Sequence, residues 1–226
     1  MKPYEGTDNL EVMAEARNYN AFLLDLVLAH RGDAQTAVDF GAGIGTFARM
    51  VRDRGVNVLC IEPDAAQCAL LRRLGLPAED DLDALQDATL RYVYSLNVLE
   101  HIEDDARALR QIAQKLAPGG RLLVYVPAFD VLFSSMDRKV GHHRRYRRTQ
   151  LVSLVQQAGL EVIAARYVDF FGFLATLAYK ALGSGKGDID RRSVIVFDRF
   201  LFPLSRCCDR VLGGFVGKNV YIVARK

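Results

Sequence analysis

Short apolar runs alternate with helical stretches along most of the chain, and this alternation constrains the fold more than any other feature. The runs are TAVDF, VNVLCI, RYVYSL and GRLLVYVPA, and helical stretches lie around residues 47–54, 65–74 and 104–116. Strands that are buried on both faces are apolar along their whole length, so these runs predict βαβ units with a parallel sheet. LEVIAARYV and KNVYIVARK predict two further strands near the carboxyl end.

Two regions lie outside this alternation. Residues 10–30 carry apolar side chains at helical spacing and predict an amphipathic helix within an N-terminal helical region, residues 1–35. Residues 169–217 contain two apolar helical stretches separated by GSGKGD and predict a helical insertion, acting as a cap or lid, before the last strand. Because 226 residues are enough to bury a core, we expect a single domain, 1–226.

The net charge of +3 comes from one short segment. Residues 138–148 hold six Arg or Lys, and removing these six from the 30 basic residues leaves 24 against 27 acidic residues. Proteins that bind nucleic acid through many phosphates usually carry cations over a whole face. We therefore expect no nucleic acid as a partner.

The cysteines and the apolar segments bear on the cellular compartment. The four cysteines, at positions 60, 68, 207 and 208, form no C-x-x-C pair, so we expect reduced thiols, no metal site and a cytoplasmic protein. The polar first residues contain no apolar signal-peptide core. The longest apolar stretch, 170–182, is shorter than the roughly 20 residues that a bilayer span needs. A peripheral membrane contact through 170–212, a homodimer contact and ordinary core packing stay open.

A glycine-rich turn follows the first predicted strand. In VDFGAGIGTFARM the strand runs into Gly41, Gly43 and Gly45 before a helix begins, so backbone N–H groups can approach a ligand closely. The next strand ends at Glu62, whose carboxylate can accept hydrogen bonds from both hydroxyls of a ribose. A dinucleotide-binding G-x-G-x-x-G would have a third glycine where Thr46 stands. These residues predict a nucleoside site, with nicotinamide cofactors less favoured.

Four motifs in order resemble those of class I S-adenosylmethionine-dependent methyltransferases. VDFGAGIGTFA is similar to the first motif, AEDDLDAL to the adenine segment, YVYSLNVLEHIEDD to the fourth motif and LAPGGRLLVYVP to the fifth. The resemblance covers residues 19–159 and the last strand. It implies S-adenosyl-L-methionine as cofactor. It also implies a Rossmann-like, seven-stranded, mostly parallel sheet with helices on both faces, an antiparallel last strand and a helical insertion between the last two strands.

The resemblance also implies which residues bind the cofactor. The expected set is Asp39, Gly41, Gly43, Gly45, Glu62, Asp81 and Asn97. Asp39 would face the methionine end, Asp81 the adenine amine in preference to Asp80, and Asn97 would lie beneath the cofactor. A solvated loop or a helix cap stays open as the role of Asp81, as does a simple turn or cap at Asn97.

The basic segment follows the strand GRLLVYVPA, and ligands of open α/β sheets bind beyond the carboxyl ends of the strands. It resembles a D-x-x-x-G-H-x-R-R-Y motif of small-molecule methyltransferases related to the ubiquinone O-methylating enzymes, matched by Asp137, Gly141, His142, Arg144, Arg145 and Tyr146. His142 can titrate near neutrality and is the predicted base, with His101 second. Arg144, Arg145 and Tyr146 are predicted to bind the acceptor. A solvated charge run is the alternative for the arginines.

These features together predict a methyltransferase. The expected acceptor is a small lipophilic, phenolic or acidic molecule, and O-methylation is the preferred reaction. The N/D-P-P-Y/F and Pro-Cys signatures of base methylation do not occur in the sequence. An RNA or protein methyltransferase and a non-catalytic cofactor-binding partner protein remain alternatives.

Overall fold

Seven strands form one sheet in a computed structural model that describes residue 12 and the ranges 15–182 and 190–226. The strands are β1 (Thr36–Phe40), β2 (Asn57–Ile61), β3 (Ala78–Glu79), β4 (Leu90–Leu96), β5 (Leu116–Pro127), β6 (Glu161–Val168) and β7 (Asn219–Arg225). The α-helices are α1 (Arg17–His30), α2 (Thr46–Arg52), α3 (Ala65–Arg73), α4 (Asp105–Lys115), α5 (Ser135–Lys139), α6 (Arg148–Gln157), α7 (Phe170–Leu182), α8 (Arg191–Val196) and α9 (Phe202–Leu212).

The strand order is β3-β2-β1-β4-β5-β7-β6. All neighbouring strands are parallel except β7, which runs antiparallel to both β5 and β6. This arrangement confirms the predicted fold class, including the helical insertion between the last two strands. The order reverses between β1 and β4, so a crevice opens beyond the carboxyl ends of these two strands.

The sheet separates two hydrophobic cores. Tyr92 and Tyr94 of β4 pack with α1, α2 and α3 on one face, whereas Val93 between them packs with α4 and α6 on the other. The alternation follows from the pleat, which points successive side chains to opposite faces. Because both faces are covered, residues 92–94 at the centre of β4 are fully buried, and ligands of such sheets bind beyond the carboxyl ends of the strands.

The insertion, residues 169–217, is anchored at the carboxyl edge of the sheet. The Asp209 carboxylate accepts hydrogen bonds from the backbone N–H groups of Asp169 (3.0 Å) and Phe170 (3.1 Å), directly after β6. A π-helical segment (Phe197–Leu201) joins α8 to α9. Within it, Asp198 accepts hydrogen bonds from the N–H groups of Asn18 and Tyr19 and so ties the insertion to α1. The predicted break GSGKGD lies outside the described residues.

The helix predicted over residues 10–30 is described as α1 from Arg17 onward, and most of residues 1–14 lie outside the described part. Among the described residues, no helix is long and apolar enough to span a membrane.

Candidate functional site

The glycine turn after β1 has a backbone that only glycine fits. Gly41 and Gly45 have φ of +84° and +78°, in the left-handed region. A Cβ on Gly41 would lie 2.4 Å from Val98 Cγ2, and one on Gly45 would lie 2.6 Å from Leu71 Cδ2. The first contact packs the turn against the residues after β4, and the second packs it against α3. The turn therefore lies at the crevice where the strand order reverses.

Two acidic side chains lie beside this turn. Glu62, at the end of β2, accepts hydrogen bonds from the backbone N–H groups of Gly43 (2.7 Å) and Asp64 (3.0 Å), which orient its carboxylate. Asp39 is 4% exposed, and burial raises its pKa to about 7 with a smaller contribution from the charge of Glu62, while the Tyr94 hydroxyl acts in the opposite direction. A cation placed beside Asp39 would favour its ionised form.

Non-glycine residues in the left-handed region follow three strands. Asn97, Phe129 and Asp169 have φ of 55°, 60° and 67° and lie just beyond β4, β5 and β6. Such backbone costs about 1 to 3 kcal/mol per residue and is concentrated at functional sites. The chain thus turns sharply after each of these three strands. The turn role that the sequence left open for Asn97 is therefore present.

Tyr19 is a residue of this edge that the sequence analysis missed. Its ring lies edge-on to that of Tyr125, with 6.3 Å between ring centroids. Burial raises the pKa of Tyr19 to about 12, although hydrogen bonds with Tyr125 and Asn97 act in the opposite direction. No sequence pattern around Tyr19 indicates this position, because a tyrosine in an amphipathic helix usually packs in the core.

Asp81, the predicted adenine contact, is exposed and caps a short 3-10 turn (Leu82–Ala84) by accepting a hydrogen bond from Asp83 N at 2.8 Å. The helix-cap role that the sequence left open is therefore present. Its contact with adenine stays a prediction.

The basic loop, residues 137–148, is attached to the ends of β4 and β5. Tyr146 N donates to the carbonyl of Pro127 (2.9 Å), and Phe129 N donates to the carbonyl of Tyr146 (3.1 Å). His143 N donates to the carbonyl of Glu100 (2.8 Å), in the 3-10 turn after β4. The loop is therefore part of the edge that carries the glycine turn.

Asp137 is the centre of a buried polar network in this loop. Its two carboxylate oxygens accept hydrogen bonds from Arg145 Nε (2.8 Å) and Nη2 (3.0 Å), and one of them lies 2.8 Å from His142 Nδ1. Ser134 N donates to it as well. Although burial alone would raise the pKa of Asp137, the contacts with His142 and Arg145 hold it well below its usual value. Such charge-assisted, bidentate contacts lock the loop and the His142 ring.

The three residues predicted to bind the acceptor differ in exposure. Arg145 and Tyr146 are buried, and the Tyr146 hydroxyl lies 2.7 Å from Asp105 Oδ2. Arg144 pairs with the same carboxylate at 2.9 Å and keeps a third of its side chain exposed. Their contact with an acceptor stays a prediction, and Arg144 is the one whose side chain reaches solvent.

Both predicted histidines lie against a buried carboxyl group. Their rings meet edge to face with centroids 4.6 Å apart, and His142 Nε2 lies 3.9 Å from Glu100 Oε1. Glu100 has no exposed surface, and no side chain among the described residues lies within hydrogen-bond distance of its carboxylate oxygens. Burial raises the pKa of Glu100 to about 8, and burial followed by the charge of His142 lowers the pKa of His101 to about 4. The sequence analysis predicted no role for Glu100.

The comparisons with known proteins assign the family. A model of the methyltransferase domain matches residues 11–165. The chain belongs to the class I S-adenosylmethionine-dependent methyltransferases. S-adenosylmethionine is its cofactor, which confirms the cofactor prediction. The site fits this molecule, since the glycine turn leaves no room for a Cβ at two positions and, within the described part of the chain, no cation is among the groups that act on Asp39.

Individual relatives agree with this family assignment. The methyltransferase is 30% identical over 145 residues to a Mycolicibacterium smegmatis protein named "Probable S-adenosylmethionine-dependent methyltransferase", a match that covers 60% of this chain and 55% of that protein. The chain therefore spans about half the length of this curated relative. The predicted branch related to ubiquinone O-methylating enzymes stays a prediction.

Two solved structures share the fold. One is a Haloferax volcanii methyltransferase in complex with the Trm112 methyltransferase activator (TM-score 0.67, 17% identity, 100% of this chain and 98% of that chain). The other is a geranyl diphosphate C-methyltransferase from Streptomyces coelicolor, with Mg²⁺, geranyl diphosphate and S-adenosyl-L-homocysteine (TM-score 0.62, 17% identity, 91% of this chain and 77% of that chain).

Proposed function

We propose that this protein transfers a methyl group from S-adenosylmethionine to an oxygen of a small lipophilic acceptor that carries a phenol or an acidic group. The observation that carries the proposal is the cluster of Glu100, His101 and His142. It lies on the loop and turn beyond β4 and β5, on the same edge as the cofactor turn. A buried carboxyl group and two imidazoles there are suited to removing a proton from a hydroxyl.

The proposed cofactor contacts come from residues at or just beyond the carboxyl ends of four strands, β1 to β4. The turn from Gly41 to Gly45 would approach the cofactor with its backbone, and Glu62 would bind the ribose hydroxyls. Asp39 would pair with the ammonium group of the methionine part. Asp81 would approach the adenine amine, and Asn97 would lie beneath the cofactor.

The reaction requires the acceptor oxygen to be aligned with the methyl group and one proton to be removed from the acceptor hydroxyl. S-adenosylmethionine supplies a methyl group that its sulfonium already activates. The acceptor oxygen would take this methyl group as the carbon–sulfur bond breaks and its electron pair stays on sulfur, and the hydroxyl proton would pass to Nε2 of His142. Asp137 holds the other ring nitrogen of His142 and so keeps the ring in position.

The nature of the acceptor follows from the surfaces around the cluster. Arg144 offers a partly exposed guanidinium for an anionic group, and Arg145 and Tyr146 contribute by holding the loop in place. The insertion supplies apolar side chains at the same edge: Phe173 of α7 meets Phe129 edge-on, with centroids 5.6 Å apart. The bound geranyl diphosphate of the Streptomyces coelicolor protein supports an acceptor of this combined chemistry.

The proposal is tested by measuring S-adenosyl-L-homocysteine release with a panel of acceptors. The panel holds phenols and carboxylic acids with and without a prenyl tail, amines, and a transfer RNA mixture. We expect turnover with the phenols or acids and faster turnover with tailed members. Turnover with RNA alone would contradict the acceptor class. Binding of the cofactor with no turnover on any acceptor would instead support the non-catalytic alternative.

Replacing Glu62 with glutamine is expected to weaken S-adenosylmethionine binding by about 1 to 3 kcal/mol, because a charged acceptor for the ribose hydroxyls is lost. Isothermal titration calorimetry measures the change. Glu161 lies at the amino end of β6, opposite the edge that carries the glycine turn, and pairs with Arg225, so Glu161→Gln is the matched control. Equal affinities of Glu62→Gln and the wild-type protein would refute the ribose role.

A continuous helical rod, residues 191–212, presents an apolar stripe to solvent. Val196, Phe200, Leu204 and Val211 recur every four to seven residues and are 54% to 76% exposed. The exposed cations Arg192, Arg199 and Arg210 lie among them. Apolar residues with interspersed arginines are typical of helices that lie in the surface of an anionic bilayer. We therefore propose that this rod contacts the membrane surface, from which a lipophilic acceptor would enter.

Flotation with vesicles tests this contact. Binding to vesicles with 30% phosphatidylglycerol is expected, and Phe200→Ser should weaken it by about tenfold or more, as for loss of one buried aromatic side chain. Ile163→Ser, at an exposed apolar residue of β6, is the control. Equal binding by Phe200→Ser, or a Phe200-dependent dimer in size-exclusion chromatography without lipid binding, would contradict the proposal.

A further inference from the structure

A lysine lies just before β7, at the edge of the sheet that carries the site. Because β7 runs antiparallel to β5 and β6, its amino end lies at the carboxyl ends of those two strands. Lys218 N donates to the carbonyl of Asp169 (3.0 Å), and Ala128 N donates to the carbonyl of Lys218 (2.8 Å). These bonds hold Lys218 between the segments that follow β6 and β5. Its side chain is only partly buried, so a ligand in the crevice can reach it.

Within the described part of the chain, no carboxylate forms an ion pair with the ammonium group of Lys218, although Asp169 and Asp137 are near enough to act on its pKa. Both of these carboxylates have other partners. Asp169 accepts a hydrogen bond from Ser205 Oγ at 2.9 Å. Asp137 holds the Arg145 guanidinium with both of its oxygens. The charge of Lys218 therefore remains available to a ligand.

Arg145 places a second positive charge near Lys218. Burial lowers the pKa of Lys218, and the charge of Arg145 lowers it further. The carboxylates of Asp169 and Asp137 act in the opposite direction. Arg145 Nη1 donates a long hydrogen bond of 3.4 Å to the carbonyl of Ala128, the residue that pairs with Lys218. Two neighbouring cations repel each other, and an anion bound between them would remove this repulsion.

The next residue along the chain gives an independent indication of a ligand. Asn219 is 4% exposed, and its Nδ2 amide has no hydrogen-bond partner within the described ranges. Buried polar groups are nearly always paired. Asn219 begins β7 opposite Pro127 of β5, so its unpaired donor lies at the same end of the strand as Lys218. Two successive residues here therefore offer donors to the oxygen atoms of a ligand.

An apolar wall lies beside these donors. Phe129 directly follows the residue that pairs with Lys218, and its ring stacks on that of Tyr167 with 4.6 Å between ring centroids. Phe173 of the insertion meets the ring of Phe129 edge-on. A ligand that lies along this wall would carry an apolar part next to an anionic group.

We infer that Lys218, together with Arg145, binds the anionic group of the acceptor, a carboxylate or a phosphate. A lysine ammonium group is a compact charge that suits either anion. Arg144 is already paired with Asp105 at 2.9 Å, so Lys218 is better suited than Arg144 to hold an anion. The inference deepens the proposed function and rests on its acidic acceptor class.

The acceptor would span two sides of one carboxylate. Asp137 holds the Arg145 guanidinium with both oxygens, and one of these oxygens lies 2.8 Å from His142 Nδ1. The anionic group would lie at Lys218 and the reacting hydroxyl at His142, so one connected network would bind both ends of the acceptor. This arrangement favours a hydroxy acid over a neutral phenol.

Calorimetry in the presence of S-adenosyl-L-homocysteine tests the site without methyl transfer. The probes are para-hydroxyphenylacetate and para-hydroxyphenylacetamide, of which only the first carries a charge. We expect the wild-type protein to bind the acid at least about tenfold more tightly than the amide, as for a charged hydrogen-bond contact. Lys218→Met should bind the two probes alike, and Lys218→Arg should keep part of the preference.

Lys226→Met is the matched control, because this exposed lysine lies at the opposite end of β7. It should keep the full preference for the acid. Circular dichroism and the thermal midpoint monitor folding of each variant. Affinity for S-adenosylmethionine should be the same in Lys218→Met and the wild-type protein, because the glycine turn follows β1, two strands away from β5.

Inorganic phosphate gives a second readout. It should raise the thermal midpoint of the wild-type protein and of Lys226→Met more than that of Lys218→Met. Tighter binding of phosphate than of the acid would assign the anion as a phosphate.

An undiminished preference for the acid in Lys218→Met would overturn the inference, as would a wild-type protein that binds neither the acid nor phosphate. Equal weakening of both probes in Lys218→Met would indicate a structural role and would overturn it as well. These measurements involve no methyl transfer, so failure of this inference is distinguishable from failure of the proposed function.

Discussion

Replacing His142 with alanine is expected to lower turnover about 10²- to 10⁴-fold, because the group that makes removal of the acceptor proton favourable is lost. Affinity for S-adenosylmethionine should stay nearly constant, since Glu62 and the glycine turn do not contact His142. Steady-state kinetics on the acceptor found in the panel, with calorimetry of cofactor binding, measures both quantities.

His143→Ala is the control for this substitution. His143 is adjacent in sequence and exposed, and its backbone keeps the loop attached to Glu100. We expect wild-type turnover from it. Full activity of His142→Ala on the same acceptor would show that methyl transfer proceeds by alignment alone, and the basic loop would then be only a cover of the site.

Replacing Asp137 with alanine is expected to lower the free energy of unfolding by about 3 to 5 kcal/mol. The carboxylate is 1% exposed and its bidentate partner Arg145 is 5% exposed, so the substitution leaves a guanidinium buried without its counter-charge. Chemical denaturation measured at neutral pH gives this difference directly. Activity should fall as well, because the His142 ring loses the contact that orients it.

Two further variants separate the buried pair from a general charge effect. Asp33→Ala removes one partner of an exposed ion pair with Arg91 and should cost no more than about 1 kcal/mol. Arg145→Met in the Asp137→Ala background removes the uncompensated charge and should restore part of the stability. A cost at Asp137 similar to that at Asp33 would contradict the buried network.

Much of the fold could be read from the sequence. The apolar runs of β1, β2, β4 and β5 are continuous because each strand is covered on both faces, and such a run is visible without any partner. The cofactor turn is equally local, because Gly41 and Gly45 adopt positive φ and the turn leaves no room there for a side chain. Glu62 follows from its place at the end of the next strand.

The sequence could not predict which arginines of the basic loop are buried and which are exposed. Arg144, Arg145, Arg147 and Arg148 look alike in sequence, yet the Arg145 side chain is 4% exposed and pairs with Asp137. Which arginine turns inward depends on where the loop meets the end of β5. The sequence could match the motif but not separate the arginine that supports the loop from the one that reaches solvent.

The sequence by itself determined the alternation of strands and helices, the glycine turn and the family motifs, because apolar periodicity and backbone conformation depend on neighbours along the chain. Only the tertiary structure decided that the Glu100 carboxyl group is fully buried beside the rings of His101 and His142, and that Tyr19 packs edge-on against Tyr125. Glu100 meets His142 because the turn after β4 and the loop after β5 lie side by side, and Tyr19 meets Tyr125 because α1 packs against the sheet. Their burial, and hence their altered pKa values, arises from that packing.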